Sequence, residues 1–256
     1  MPAQRPLGKQ CNLRTGARFG EDGDSRLAAV ARLFAAIAPR YDLMNRLMTG
    51  RMDLAWRRRA CALLEPLPHG DAPILDVGTG TADLALTLAQ RWPDIPITGV
   101  DLTQEMLALG RRKVAARRVD GQIALVRGNA LALPYPDASF AAVVSAFTLR
   151  NLADPLQALA EMRRVVVPGG CVLCLELAQP TAPGFCTLFR FYFTHLVPIL
   201  GALVARSRAA YTYLPASVEA FPPPATLAQA MIDAGLRDVR WERLALGAAT
   251  IHVGRR

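Results

Sequence analysis

The chain begins without an apolar run, contains no Pro-Cys dipeptide, and has lysine only at Lys9 and Lys113 and histidine only at His69, His195 and His252. Its first 24 residues, MPAQRPLGKQCNLRTGARFGEDGD, hold no apolar core of about 7–15 residues, which excludes a secretory signal and reads as a disordered basic arm. Five scattered cysteines (Cys11, Cys61, Cys171, Cys174 and Cys186) exclude a disulfide framework and point to a reducing compartment. Cys171 and Cys174 form a C-x-x-C pair inside an apolar run that reads as a strand, where residues three apart face opposite ways. No second pair and no nearby His completes a zinc set, so buried core thiols and no metal are expected. The most membrane-like stretch, Cys186 to Ala205, is interrupted by Arg190, His195, Pro198 and Gly201. A spanning helix wants ~20 largely apolar residues, so a half-buried or membrane-facing helical segment is the better reading.

What is present is a core-forming composition, 52% hydrophobic and 20% charged, with a formal charge of +9 over 256 residues. Residues 1–60 hold 12 basic and 5 acidic side chains, against 18 and 16 in the rest. A charge confined to one end does not make a nucleic-acid face; it suggests contact with an anionic surface such as lipid headgroups. The dominance of Arg over Lys, with abundant Ala and Pro, reflects base composition rather than guanidinium chemistry.

Periodicity predicts helices over Leu27 to Ile37, capped by Ser25 and stopped by Pro39, over Asp42 to Met48, and over Asp53 to Leu64. Strands and helices then alternate: Pro73 to Val77, Ala82 to Arg91, Ile95 to Val100, Thr103 to Ala116, Gln122 to Val126, Phe140 to Ser145 and Pro155 to Val165. Pro168-Gly169-Gly170 reads as a turn into a strand from Cys171 to Leu177. After a helical, aromatic insertion over 179–220 come a helix from Thr226 to Ala234 and strands from Asp238 to Leu244 and Ala249 to Val253. This order predicts an α/β parallel sheet with crossover helices on both faces. Residues 25–256 thus form a single domain with a helical cap over 25–65.

The strongest local signal is LDVGTGTAD, Leu75 to Asp83. It puts Asp76 at the end of a first strand and Gly78 and Gly80 where the chain must turn sharply, with a helix N-terminus facing a ligand. Asp101 ends the second strand about 20 residues on, placed to accept hydrogen bonds from two ribose hydroxyls. NAD and S-adenosylmethionine (SAM) both fit these residues. The turn lacks a third glycine for a pyrophosphate, and Asn129-Ala130 precedes LPYPDASF, a pattern suited to holding an adenine edge; both features favour SAM.

This combination resembles the class I SAM-dependent methyltransferases. More narrowly, VARLFAAIAPRYDLMNRLMTGRMDLAWRR (Val30 to Arg58), SAFTLRN (Ser145 to Asn151), RRVVVPGGCVLCLELAQPTAPGF (Arg163 to Phe185), AYTYLPASVEAFP (Ala210 to Pro222) and LGAATIHVG (Leu246 to Gly254) resemble the UbiE/MenG quinone C-methyltransferases, in order and at family spacing. QPTAPGF and GNALALP are more similar to the menaquinone branch than to the ubiquinone branch. The resemblance implies a doubly wound, seven-stranded, mostly parallel sheet that methylates a ring carbon of a polyprenylated hydroquinone, demethylmenaquinol above a benzoquinol. It implies SAM contacts at Thr81, Asp101, Asn129, Ala130 and Ser145, with Gly78 and Gly80 shaping the turn, and an acceptor pocket lined by Tyr41, Asn45, Arg150 and Asn151. The sequence departs from the family at Asp53 (usually His), Thr148 (usually Gly), Val167 (usually Lys) and Ala178 (usually Ser).

The reaction asks the protein to stabilise a phenolate and hold the neighbouring carbon ~3–3.5 Å from the methyl, in line with the leaving sulfur, with no metal and no covalent nucleophile. Arg150 is the candidate for that electrostatic role, acting through a water because a guanidinium is a poor base; the plain alternative is a salt bridge at the strand end. Tyr41 orients the ring hydroxyl or is a structural tyrosine. Glu176 is an orienting group or a strand-end ion pair, and no histidine is assigned catalysis. Phe185, Phe189, Phe191, Tyr192, Phe193, Leu196 and Leu200 offer a wall for an isoprenoid tail or ordinary lid packing. Two competitors stay open: a methyltransferase acting on RNA, protein or another small molecule, and a non-enzymatic quinone-binding subunit. No nucleic-acid partner is expected, a homo-oligomer is compatible with the sequence, and the expected location is the cytoplasm with peripheral contact at the inner membrane face.

Overall fold

The computed structural model describes residues 23–67, 72–204 and 208–256. Residues 1–22 of the expected basic arm, with Cys11, and His69 lie outside them, while residues 23 and 24 of that arm are helical. Five parallel strands, β1 (Ile74–Val77), β2 (Ile97–Asp101), β3 (Ile123–Arg127), β4 (Phe140–Ala146) and β5 (Val166–Leu177), are joined by β7 (Ala249–Arg255), antiparallel to β5, and β6 (Arg237–Leu244). The order is β3-β2-β1-β4-β5-β7-β6. Every residue of β1 is buried, as expected of a central parallel strand covered on both faces. The order reverses between β1 and β4, and a crevice opens at the carboxyl ends of strands at such a point.

Helices α1 (Gly23–Thr49), α2 (Met52–Ala62), α3 (Asp83–Arg91) and α4 (Gln104–Ala116) contribute to one core layer, with Met44, Trp56, Leu88 and Val114 at its centre. Helices α5 (Pro155–Val165) and α9 (Pro224–Asp233) supply the other, through Leu159, Met162, Leu227 and Met231. Cys171 packs in the first layer and Cys174 in the second, both buried free thiols, as the strand alternation requires.

Two local expectations are corrected. Pro39 does not stop the first helix: α1 runs unbroken from Gly23, ahead of Ser25, to Thr49. A proline removes one intrahelical bond at a cost of ~3 kcal/mol, and burial of Ile37, Ala38 and Met44 on either side offsets it. Pro168-Gly169-Gly170 is no separate turn. It lies within β5 as an extended bulge, because Phe140 pairs with Val166 and Ala142 with Cys171, leaving residues 167–170 opposite Ala141 alone, while Gly169 N donates to the Arg256 carbonyl and Arg256 N to that of Gly170.

The insertion forms α6 (Phe185–Phe191), a π-helical segment (Tyr192–Leu196), α7 (Val197–Val204) and α8 (Arg208–Ala220). Phe185–Val204 is, among the described residues, the one helical stretch long and apolar enough to cross a membrane by length and composition. Phe193, Val197 and Gly201 face inward, while Leu188, Phe191, Ile199 and Leu203 are exposed, Leu203 by 74%.

Candidate active site

The turn after β1 needs its glycines. Gly78 has φ +71° and Gly80 φ +54°, values that favour glycine. A Cβ at Gly78 would overlap the Thr148 side chain, whose Oγ1 donates to the Gly78 carbonyl at 3.2 Å. Gly78 N and Thr79 N both donate to the Val100 carbonyl, binding the turn to β2. The Asp101 carboxylate accepts from Gly80 N and from Thr103 N, each at 2.8 Å, so it bridges the glycine turn and the start of α4. Burial raises its pKa. These groups line a cavity, with Asn129 and Ala130 on one wall and Val30, Phe34 and Tyr41 of α1 over it. The Asn129 Oδ1 accepts from Leu131 N at 3.0 Å, which shapes that loop.

Three further residues expected at the donor stand behind the wall. Asp76 is buried, its Oδ2 accepting from Thr79 Oγ1 at 2.7 Å and Ala85 N at 3.2 Å; burial pushes its pKa up to about 7. Thr81 donates to Asp42 at 2.6 Å, and Ser145 donates to the Val77 carbonyl at 2.8 Å, stitching β4 to β1.

A second chamber adjoins the first and shares Phe34, Tyr41, Phe147 and Asn151 with it. Tyr41 and Asn45 of α1, Arg150 and Asn151 of the LRN turn, and Phe193 and Tyr211 of the insertion face it. Phe147 takes φ +60° at the end of β4, which throws its ring between the two spaces. The guanidinium carbons of Arg57 and Arg150 lie 5.2 and 5.9 Å from that ring centre, a cation–π arrangement.

Arg150 Nη1 donates to Glu176 Oε2 at 2.8 Å, and Leu149 N to Glu176 Oε1 at 2.6 Å. Both side chains are buried. Burial raises the Glu176 pKa although Arg150 pulls it down. Arg150 Nε is buried with no protein partner. Burial also raises the Tyr41 phenol, against the pull of Arg150, so it stays neutral. Asn151 donates to the Phe147 carbonyl at 3.0 Å and accepts from Tyr213 Oη at 3.3 Å.

An ion-pair ladder missed in the sequence underlies this chamber. Asp53, on its wall, is buried against Arg46, Arg57 (2.6 Å) and Thr49 Oγ1 (3.0 Å). Arg46 continues to Asp83 at 2.6 Å, Asp83 meets Lys113, and Lys113 reaches Asp42 at 2.8 Å. Burial alone would raise the Asp83 carboxyl, but Lys113, Arg57 and Arg46 outweigh it and hold it at about 2. The i, i+4 pair Asp53–Arg57 was readable as helix spacing; the cross-helix partners were not. Among the described residues no group of three or more His, Cys, Asp or Glu is placed to hold a metal ion.

Comparison with known proteins agrees with this geometry. The profile of the ubiE/COQ5 methyltransferase family matches residues 22–256. The demethylmenaquinone methyltransferase of Deinococcus radiodurans is 48% identical over 233 residues, covering 91% of this chain and 95% of that protein. The protein of the same name from Thermus thermophilus is 48% identical over 88% of this chain and all of its own length. The ubiquinone/menaquinone biosynthesis C-methyltransferase UbiE of Geotalea daltonii is 40% identical over 88% and 95%. Among solved structures, a SAM-dependent methyltransferase from Thermotoga maritima superposes with a TM-score of 0.60 at 18% identity, covering 88% and 99% of the two chains. The [4+2]-cyclase SpnF does so with 0.58 at 20%, covering 78% and 80%. These two show the class I SAM methyltransferase fold alone. With the family profile spanning the whole described domain, the chain belongs to the ubiE/COQ5 methyltransferase family.

Proposed function

We propose that this chain transfers a methyl group from SAM to a ring carbon of a polyprenylated hydroquinone, with demethylmenaquinol as the acceptor. The observation that carries the reading is the pair of adjoining chambers: one has the glycine turn and Asp101, the other has the buried cation Arg150, and Tyr41 and Phe147 wall both. The names of the two 48% relatives favour the naphthoquinol over the benzoquinol ring.

The donor cavity fits SAM by its own chemistry. A Cβ built at Gly80 meets nothing within 4 Å, so the turn leaves open space for close backbone approach. Asp101 is the acceptor for ribose hydroxyls, Asn129-Ala130 the adenine edge, and Asp76, Thr81 and Ser145 hold the strands and turn that carry them. Bound there, SAM supplies an electrophilic methyl. Arg150 then lowers the cost of ionising the ring hydroxyl beside the reacting carbon, as a permanent positive charge held by Glu176 in a site of low dielectric. Its Nε is buried with no partner in the protein, which leaves the guanidinium a donor to spare. Tyr41 orients the same edge of the ring, and the apolar walls around Phe34, Phe147 and Phe193 exclude bulk water.

The acceptor's isoprenoid tail and the exposed outer face of Phe185–Val204 support peripheral contact with a membrane surface, in which the basic N-terminal residues add attraction to anionic headgroups. Incubation with labelled SAM and demethylmenaquinol, followed by mass spectrometry, is expected to show one added ring methyl. Label found only in RNA or protein fractions overturns the reading.

A further inference from the structure

Three tyrosines line the acceptor chamber, and two of them are satisfied within the protein. Tyr41 is hydrogen-bonded to the side chain of Asn45, and Tyr213 donates to Asn151. Tyr211 differs. Its residue is 3% exposed, and its hydroxyl is fully buried with no hydrogen-bond partner. An unpaired buried hydroxyl costs stability, so its retention at a cavity wall points to a ligand that completes it. The ring is also braced. Gly201 of α7 presses against it so closely that a Cβ there would overlap the Cβ and Cγ of Tyr211. A braced ring carrying an unused polar tip is the arrangement of a binding group rather than of a space-filling one.

A 1,4-hydroquinone offers two oxygens. The one beside the reacting carbon develops charge and suits the permanent cation Arg150. The other stays protonated and suits a neutral group that can both donate and accept. Burial, with Tyr41 adding to it, pushes the Tyr211 phenol up, so it remains such a group across the neutral range.

We propose that the Tyr211 hydroxyl binds the second ring oxygen of the acceptor and makes the enzyme select rings that carry it. This rests on the hydroquinone reading above. The test compares wild type with Tyr211→Phe on two acceptors: demethylmenaquinol, and a 3-prenyl-1-naphthol that keeps the hydroxyl beside the reacting carbon and lacks the other. Tyr211→Phe is expected to lose about tenfold in kcat/KM on the hydroquinol, mostly through KM, and nothing on the naphthol. SAM affinity should be unchanged and the Tm of the ligand-free protein unchanged or higher. Gly201→Ala, which displaces the ring without entering the chamber, should show the same acceptor-dependent loss.

An equal loss on both acceptors, or no loss on the hydroquinol, overturns the proposal. So does a fall in the ligand-free Tm of Tyr211→Phe, because the hydroxyl would then have a partner inside the protein. A wild type that methylates neither ring refutes the hydroquinone reading itself, and this role with it.

Discussion

Asp76→Asn should make the protein more stable at neutral and alkaline pH and change how its stability depends on acid. The Asp76 carboxyl sits 1% exposed, and both bonds it receives, from Thr79 Oγ1 and Ala85 N, go to a single oxygen. An asparagine amide oxygen in that place keeps both. Burial, with some repulsion from Asp101 and against attraction from Arg57, carries the carboxyl from 3.8 to about 7. Above pH 7 the folded and unfolded chains both hold it ionised, and the folded chain bears the cost of a buried charge. As pH falls through 7 the folded chain takes up a proton that the unfolded chain refuses until about pH 4. Folded binds more protons than unfolded in that window, so this group's contribution to stability rises as pH falls. At 2.303RT per pH unit, the span is worth about 4 kcal/mol. His252 works the other way. Burial pushes it from 6.5 down to about 4, so below 6.5 the unfolded chain binds the extra proton and about 3 kcal/mol is lost toward pH 4. The two nearly cancel in the wild type, and the variant separates them. Urea unfolding of both proteins between pH 8 and pH 4 should show the Asn-minus-Asp stability difference shrinking by about 4 kcal/mol, with equal m values. A difference that stays constant across that range refutes the buried-charge argument.

Arg150→Ala leaves Glu176 buried without its cation and should cost about 3–5 kcal/mol in urea unfolding, whereas the apolar double substitution Arg150→Met with Glu176→Leu should recover stability but not methyl transfer. Gly78→Ala forces an unfavourable φ and drives a methyl into Thr148; calorimetry should show SAM binding lost, and adding Thr148→Gly should restore part of it by removing the overlap while the φ strain remains.

The parts legible in the sequence are those written in short range. Pro155–Val165 was bounded by its own proline and the periodicity behind it, and the glycine turn with Asp101 announced both its bend and its partner strand. Arg150, Asn151 and Tyr41 were placed through family motifs, and the structure brings all three to one chamber. Longer-range determinants stayed hidden. Pro39 sits inside α1 because the core seats the residues around it, which no local rule records. Asp76, Thr81 and Ser145 carry motif positions, but which way a side chain turns beyond a strand end depends on Ala85, nine residues on, and on Asp42 and Val77, 39 and 68 residues away. Tyr211 was one aromatic among several in AYTYLPASVEAFP until the bonding of its neighbours was known.

The two chambers share a wall from α1 and the Phe147–Asn151 segment and differ in the rest of their lining. The donor side alone takes in the turns after β1, β2 and β3, while the acceptor side alone takes in the insertion before α9. Only the parts that are not shared can change separately. A lineage can exchange helices and acquire a new acceptor while the nucleoside end of the molecule stays under its own constraint, and a sheet of this shape can pass to a cyclase or a methyltransferase without being redesigned.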